Sequence, residues 1–224
     1  MSEEPRSGGM DALPAAVLAS GGGSNFQALL DAETGGAPWT IRLLITDREG
    51  IGALDRARRG GVPARVIPTK GRALADLSAE TFAALEEHGI SVLFLAGYLK
   101  LIPSQVIQRY RGRILNIHPA LLPAFGGKGM WGHHVHEAVL AAGVRVSGAT
   151  VHLVDEEYDR GAIVAQWPVP VHLGDTPEEL AARVLAVEHR LYPMAARHLC
   201  QALLAGAEVG PLPFPGHAFI VGEP

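Results

Sequence analysis

Three polar residues in this chain have side chains suited to acyl transfer, and two of them stand two positions apart. Asn116 and His118 come at the end of an apolar run, residues 114–117, and a proline follows directly. Because proline interrupts strands and helices alike, we expect both side chains to emerge where a buried strand ends. Asp159 lies in a later acidic loop, residues 155–161, which we place after a second strand.

These three side chains supply the groups that an amine needs when it attacks a carbonyl carbon. Negative charge then grows on the carbonyl oxygen, and the amine must lose a proton. Asn116 can donate a hydrogen bond to that oxygen, while His118 can donate to it or move the proton. The charge of Asp159, once nearby, favours the protonated imidazole. An isolated acidic loop is most often a solvated turn, so this interpretation requires the three residues to meet in space.

A glycine-rich loop near the start of the chain resembles a phosphate-binding turn. The apolar run 14–19 is followed by the sequence SGGGSN, residues 20–25, and then by apolar residues at helical spacing. Glycines let the backbone approach a ligand, and Ser24 or Asn25 can cap a helix whose N–H groups and dipole attract an anion. The loop is neither a dinucleotide fingerprint nor a P-loop. Phosphate binding and a purely structural turn therefore stay equal alternatives at this point.

The alternation of strands and helices predicts an α/β fold with a Rossmann-like, mostly parallel central sheet and helices on both faces. In the C-terminal half the strands follow one another more directly, so mixed strands are expected there. Strands are predicted at residues 14–19, 41–46, 64–67, 91–96, 114–117, 148–154 and 163–171, and helices at 51–59, 77–88, 137–142 and about 177–204.

The predicted domain organisation is simple. We expect residues 1–12 to be a disordered N-terminal extension and residues 13–224 to form one domain. Within that domain we expect two lobes: residues 13–100, a βαβ lobe that carries the glycine loop, and residues 101–224, a lobe that carries the three residues suited to acyl transfer. An apolar loop at residues 97–103 ends the first lobe, and it either walls a flat ring or packs under the next helix.

Composition excludes several kinds of partner and chemistry. The formal net charge is -4, without a run of Lys or Arg, so no basic surface for nucleic acid is expected. Cys200 is the only cysteine, which excludes an intrachain disulfide and fits a cytoplasmic protein. No apolar stretch approaches the roughly 20 residues of a membrane span. His133, His134 and His136 cluster without a partner at ligand spacing, so no metal is expected.

Several motifs together resemble the phosphoribosylglycinamide formyltransferase family of folate-dependent enzymes. The resemblance runs from about Ala15 to the end of the long helix. It is carried by SGGGSNFQ at residues 20–27, LAGY at 95–98, NIHPALLP at 116–123, Val151-His152, residues 155–161 and Glu188-His189. The resemblance implies direct formyl transfer from 10-formyltetrahydrofolate, as co-substrate, to the amine of 5'-phosphoribosylglycinamide in purine biosynthesis, without a metal.

The same resemblance implies roles for individual residues. Asn116, His118 and Asp159 match the catalytic residues of the family. The ribonucleotide is expected at Gly23, Ser24, Asn25 and Glu188. The folate is expected to contact Arg72, Leu99, Lys100, Leu101, Ile102, Asn116, Asp155, Glu156, Glu157, Tyr158 and Asp159. These small molecules are the only partners implied, and the protein is expected to be a monomer or a homodimer.

One segment departs from the family pattern. Residues 126–136 contain about five more residues than the shorter forms, and we hypothesise from their glycines that they form a lid. Formyltetrahydrofolate hydrolase, methionyl-tRNA formyltransferase and sugar-nucleotide formyltransferases use a similar Asn, His and Asp set. We expect neither the regulatory domain of the first nor the basic domain of the second, and the glycine loop distinguishes the third. A nucleotide-binding protein without catalysis is the alternative from another class.

Overall fold

Seven strands and six helices make up residues 12–213, the part of the chain that this computed structural model describes. The strands are β1 (Leu13–Leu18), β2 (Trp39–Thr46), β3 (Ala64–Val66), β4 (Val92–Leu95), β5 (Ile114–His118), β6 (Val146–Leu153) and β7 (Ile163–Pro170). The helices are α1 (Ser24–Thr34), α2 (Gly52–Arg59), α3 (Leu74–Glu87), α4 (Ser104–Arg109), α5 (His133–Ala141) and α6 (Pro177–Leu204). Apart from Ala12, the predicted N-terminal extension lies outside the described residues.

All seven strands join one sheet in the order β3-β2-β1-β4-β5-β6-β7. The first five strands of the chain pair in parallel, whereas β6 pairs antiparallel with both β5 and β7. This arrangement confirms the predicted fold class, including the mixed strands of the C-terminal half. The predicted lobe boundary at residue 100 stays a prediction, and the single sheet continues across it.

Each face of the sheet carries its own hydrophobic core. On the first face, α1 and α6 pack through residues such as Phe26 and Leu191. On the second face, α3 and α4 pack through residues such as Leu85 and Ile107. Strand side chains alternate between the faces, so most buried strands read as nearly continuous apolar runs, as expected for a sheet covered on both sides. Within residues 12–213, no helix has the length and hydropathy of a membrane span.

The helix starts show where local sequence signals succeed and fail. At α6 the cap is Thr176, because its hydroxyl accepts from the Glu179 N–H and the Glu179 carboxylate accepts from the Thr176 N–H. Helix α4 was not predicted, since its six residues give too little periodicity. Helix α5 begins at His133, four residues before the predicted start, after Gly132 in a positive-φ conformation.

Candidate functional site

Asn116 faces a histidine of the neighbouring strand. In the antiparallel register of β5 and β6, Asn116 lies opposite His152, and Asn116 Nδ2 is 3.0 Å from His152 Nε2. The other ring nitrogen, Nδ1, lies 2.8 Å from the carbonyl oxygen of Leu153. Nδ1–H therefore donates to that carbonyl, and Nε2 accepts from the amide. The second hydrogen of Asn116 Nδ2 stays available to an acceptor in the cleft.

His118 ends β5 with its ring buried. Its Nε2 is 2.8 Å from the Phe125 carbonyl oxygen, so Nε2–H donates to that carbonyl. Its Nδ1 is 3.7 Å from Asp159 Oδ2. Burial lowers the pKa of His118 below its ordinary value, although Asp159 and the Phe125 carbonyl act in the opposite direction. The ring is thus held neutral at neutral pH with Nδ1 as proton acceptor, beside a carboxylate that stabilises the protonated form.

Asp159 is brought to this point by the loop after β6. Its backbone adopts a left-handed conformation, with φ of 55°. Its Oδ2 accepts from the Gly127 N–H at 2.8 Å, and its Oδ1 is 3.6 Å from His152 Nε2. Burial alone raises the pKa of Asp159, but His152, His118 and the Gly127 N–H outweigh burial and hold that pKa below its usual value. The carboxylate is therefore ionised at neutral pH.

These side chains lie at the base of a cleft of about 390 Å³. Three loops form its walls, residues 97–102 after β4, residues 127–132 before α5 and residues 155–159 after β6. The lining includes Leu99, Lys100, Leu101, Ile102, Asn116, His118, Asp155, Glu157, Tyr158 and Asp159. Most residues expected to contact a folate thus share one cleft with the three residues suited to acyl transfer.

Two residues expected at the folate lie elsewhere. The lining of the cleft does not include Arg72, whose guanidinium forms an ion pair with Glu80 on α3. Glu156 forms an ion pair with Arg111 and borders a smaller adjoining pocket instead. For both residues, a role in folate binding stays a prediction.

The glycine loop leaves the start of α1 open. Gly23 occupies the N-cap position with φ of 75°, and a Cβ there would lie 2.8 Å from the Ala53 Cα, so the position requires glycine. No side chain caps the helix, which corrects the expectation that Ser24 or Asn25 does so. Asn25 instead donates from Nδ2 to Glu188 Oε2 at 2.6 Å. The first N–H groups of α1 are consequently left without a side-chain acceptor, as an anion site requires.

Glu188 of α6 is buried against this loop. Burial raises the pKa of its carboxyl to about 7, and the hydrogen bond from Asn25 only partly opposes the shift. Arg56 of α2 adds a positive charge beside the loop, since its Nε donates to the Gly22 carbonyl oxygen at 2.9 Å and its Nη1 to Gln27 Oε1 at 3.2 Å.

A pair of hydrogen bonds joins the glycine loop to the cleft wall. The Ser20 N–H donates to the Gly97 carbonyl oxygen at 3.0 Å, and the Leu99 N–H donates to Ser20 Oγ at 3.0 Å. The two loops follow β1 and β4, which are neighbours in the sheet. The glycine loop and the cleft therefore lie side by side at the carboxyl edge, where open α/β sheets bind ligands.

Sequence reasoning missed several residues of this site. His152 belongs to the Val151-His152 motif, but its position opposite Asn116 could not be predicted without knowing that β5 pairs with β6. Tyr98, Met130 and Trp131 also line the cleft; the sequence had indicated their loops, residues 97–103 and 126–136, but not these side chains. Among residues 12–213 no group of three or more His, Cys, Asp or Glu side chains is arranged to hold a metal ion.

Comparisons with known proteins agree on one family. A sequence profile described as formyl transferase matches residues 14–196. The chain is 48% identical over 198 residues to the chloroplastic phosphoribosylglycinamide formyltransferase of Arabidopsis thaliana, covering 87% of this chain and 68% of that protein. Glycinamide ribonucleotide transformylase 1 from Symbiobacterium toebii superposes with a TM-score of 0.81 at 38% identity, covering 90% of this chain and 94% of that chain.

A more distant structure shares the fold. A formyltetrahydrofolate deformylase from Pseudomonas syringae has a TM-score of 0.78 at 23% identity, covering 86% of this chain and 62% of that chain. At that identity the likeness concerns the architecture alone.

Proposed function

This chain belongs to the phosphoribosylglycinamide formyltransferase family, and we propose that it formylates the amine of 5'-phosphoribosylglycinamide with 10-formyltetrahydrofolate in purine biosynthesis. The observation that carries the proposal is that His118 Nδ1 lies 3.7 Å from Asp159 Oδ2 and that both residues line the same cleft as Asn116. The three residues come from two distant segments of the chain, and together they supply the groups that formyl transfer to an amine requires.

We assign the chemical steps as follows. The substrate amine attacks the formyl carbon, a C–N bond forms, and the formyl oxygen takes up negative charge. Asn116 Nδ2 donates to that oxygen, and Nδ1 of His118 takes the proton that the amine loses. Asp159 stabilises the resulting imidazolium. The tetrahedral intermediate then collapses, the bond to folate N10 breaks, and N10 receives the proton. Positioning both substrates at one sheet edge supplies much of the rate without a covalent enzyme intermediate.

The glycine loop serves as the phosphate site in this proposal. The N–H groups of Gly23, Ser24 and Asn25 point from the open end of α1, and the charge of Arg56 lies beside them. Glu188, already a hydrogen-bond acceptor for Asn25, binds polar groups of the same substrate. The folate lies along the walls formed by residues 97–102 and 155–159.

We propose a monomer or homodimer acting in the cytoplasm on two small molecules. Cys200, the only cysteine, is buried, which fits a reducing compartment. Size-exclusion chromatography with light scattering measures the oligomeric state directly.

The decisive experiment measures formyl transfer with and without the ribonucleotide. The proposal is supported if the formyl group leaves 10-formyltetrahydrofolate only when the ribonucleotide is present. If the formyl group is released at the same rate without the ribonucleotide, the protein is a hydrolase instead. His118→Asn is expected to reduce turnover about 100- to 1000-fold, the usual cost of losing one such group, while ribonucleotide binding measured by calorimetry stays intact. Wild-type turnover in that variant refutes the assignment of His118.

A further inference from the structure

A group of exposed apolar side chains lies at the cleft. Among residues 12–213, the large hydrophobic side chains that solvent reaches include four in its lining, Leu99, Leu101, Trp131 and Tyr158, which are between 36% and 48% exposed. Exposed apolar groups gathered at one place mark a binding surface, because scattered ones need no partner. The four belong to three different loops, so the surface depends on the tertiary fold rather than on one apolar segment.

Trp131 differs from the other three because of the segment that carries it. It lies in the loop before α5, residues 127–132, which forms one wall of the cleft. Gly129 and Gly132 adopt positive φ angles of 92° and 54°, conformations that set the path of this loop. The indole packs nearly perpendicular to the His134 ring, with ring centroids 4.8 Å apart and an interplanar angle of 83°. This contact holds the indole in place while leaving 46% of the residue exposed.

We propose that Trp131 stacks on the flat ring system of the folate donor and sets the affinity of this chain for it. This inference rests on the proposed function. A conjugated ring binds best against an apolar surface on which it can stack. The indole of Trp131 supplies that surface in a cleft whose lining also contains the polar side chains of Asn116, His118 and Asp159. The loop that carries Trp131 thus acts as a specificity element for the folate, distinct from the residues that perform the transfer.

Steady-state kinetics of Trp131→Ala and Trp131→Phe test the proposal. We expect Trp131→Ala to raise KM for 10-formyltetrahydrofolate about tenfold, equivalent to about 1.4 kcal/mol, with KM for the ribonucleotide and kcat little changed. Trp131→Phe keeps a stacking ring and is expected to restore most of the affinity. Leu173→Ala is the matched control, because Leu173 is 84% exposed and does not line the cleft.

Tryptophan fluorescence gives a second readout that needs no turnover. Of the three tryptophans, Trp39 is buried and Trp167 packs against Arg190, so Trp131 is the indole that a ligand in the cleft contacts. Titration with 10-formyltetrahydrofolate alone is expected to quench wild-type emission strongly and Trp131→Phe emission weakly.

Unchanged folate KM in Trp131→Ala together with equal quenching in both proteins overturns the inference, provided that the wild type transfers formyl groups. If the wild type neither transfers formyl groups nor binds the folate, the proposed function itself fails. The two failures are therefore distinguishable.

Discussion

Replacing Asp159 by asparagine tests the main electrostatic contact of the site. The substitution keeps the size of the side chain and an acceptor for the Gly127 N–H, but removes a negative charge 3.7 Å from His118 Nδ1. At an effective dielectric constant of about 20, two unit charges about 4 Å apart attract by about 4 kcal/mol. That energy corresponds to about a thousandfold in the equilibrium between imidazole and imidazolium.

Removing the charge of Asp159 slows the step in which His118 takes up a proton. Burial already holds the pKa of His118 below its ordinary value, and Asp159 is the charge that opposes this shift. Without Asp159 the pKa of His118 falls further, so the imidazolium that forms during amine attack loses its counter-charge. We expect kcat for formyl transfer to fall about 100- to 1000-fold. The ribonucleotide Kd is expected to change little, because the glycine loop is untouched.

The assay combines steady-state formyl transfer, calorimetric ribonucleotide binding and an NMR titration of the His118 ring. Asp76→Asn is the control, because Asp76 is exposed in the first turn of α3. An Asp159→Asn protein that keeps turnover within about tenfold of wild type and an unshifted His118 pKa refutes the electrostatic reasoning.

Three further predictions concern the glycine loop and two buried ionisable groups. Gly23→Ala should lower stability by about 1–3 kcal/mol in thermal unfolding and raise the ribonucleotide KM, because its Cβ meets Ala53 at positive φ. Gly21→Ala, whose Cβ meets nothing within 4 Å, should do neither. Burial raises the pKa of Glu188 from 4.5 to about 7. The folded protein therefore keeps this proton at pH values where the unfolded chain has lost it, and the stability of the wild type falls as pH rises through that window. Glu188→Gln should therefore be more stable than wild type at pH about 8, similar below pH about 4.5, and weaker in ribonucleotide binding. Burial lowers the pKa of His136 from 6.5 to about 4, so the unfolded chain takes up this proton first and stability falls as pH drops through that window. In urea unfolding, His136→Gln should lose less of its free energy of unfolding than the wild type across the same pH range.

Each of these predictions has an outcome that contradicts it. Equal unfolding temperatures for the two glycine variants would show that the close approach to Ala53 is easily relieved. If the stability of Glu188→Gln follows the same pH dependence as the wild type, burial does not disfavour the charged form of the Glu188 carboxyl. Parallel pH curves for wild type and His136→Gln would place the acid sensitivity in other groups.

Much of the local structure was encoded in short stretches of sequence. The strand predicted at residues 114–117 extends one residue further, to His118, and ends directly before Pro119, because proline has no N–H with which to continue a strand. The segment 175–179 predicted the start of α6, because a capping residue and a proline at the first turn are local signals, and the structure shows that Thr176 is the cap. The alternation of strands and helices predicted the parallel half of the sheet. Local failures occurred where the signal was short, as at α4, or where backbone geometry prevailed over side-chain preference, as at Gly23.

The composition of the site was predictable by resemblance, but its geometry was not. Sequence placed Asn116 and His118 where a buried strand ends, because the proline at position 119 interrupts that strand. Whether Asp159 reaches them depends on the path of a loop that leaves β6 and turns through a left-handed residue. The contact between Asn116 and His152 depends on the register of two antiparallel strands.

The chain by itself therefore determined which groups are available and at which strand and helix ends they emerge, because those features arise between near neighbours. Only the tertiary structure decided that Asp159 lies beside His118, that Asn25 meets Glu188 across 163 residues, and that Trp131 lines the cleft. Contacts of that kind are set by strand order and loop paths, which depend on the packing of the whole sheet and both of its cores.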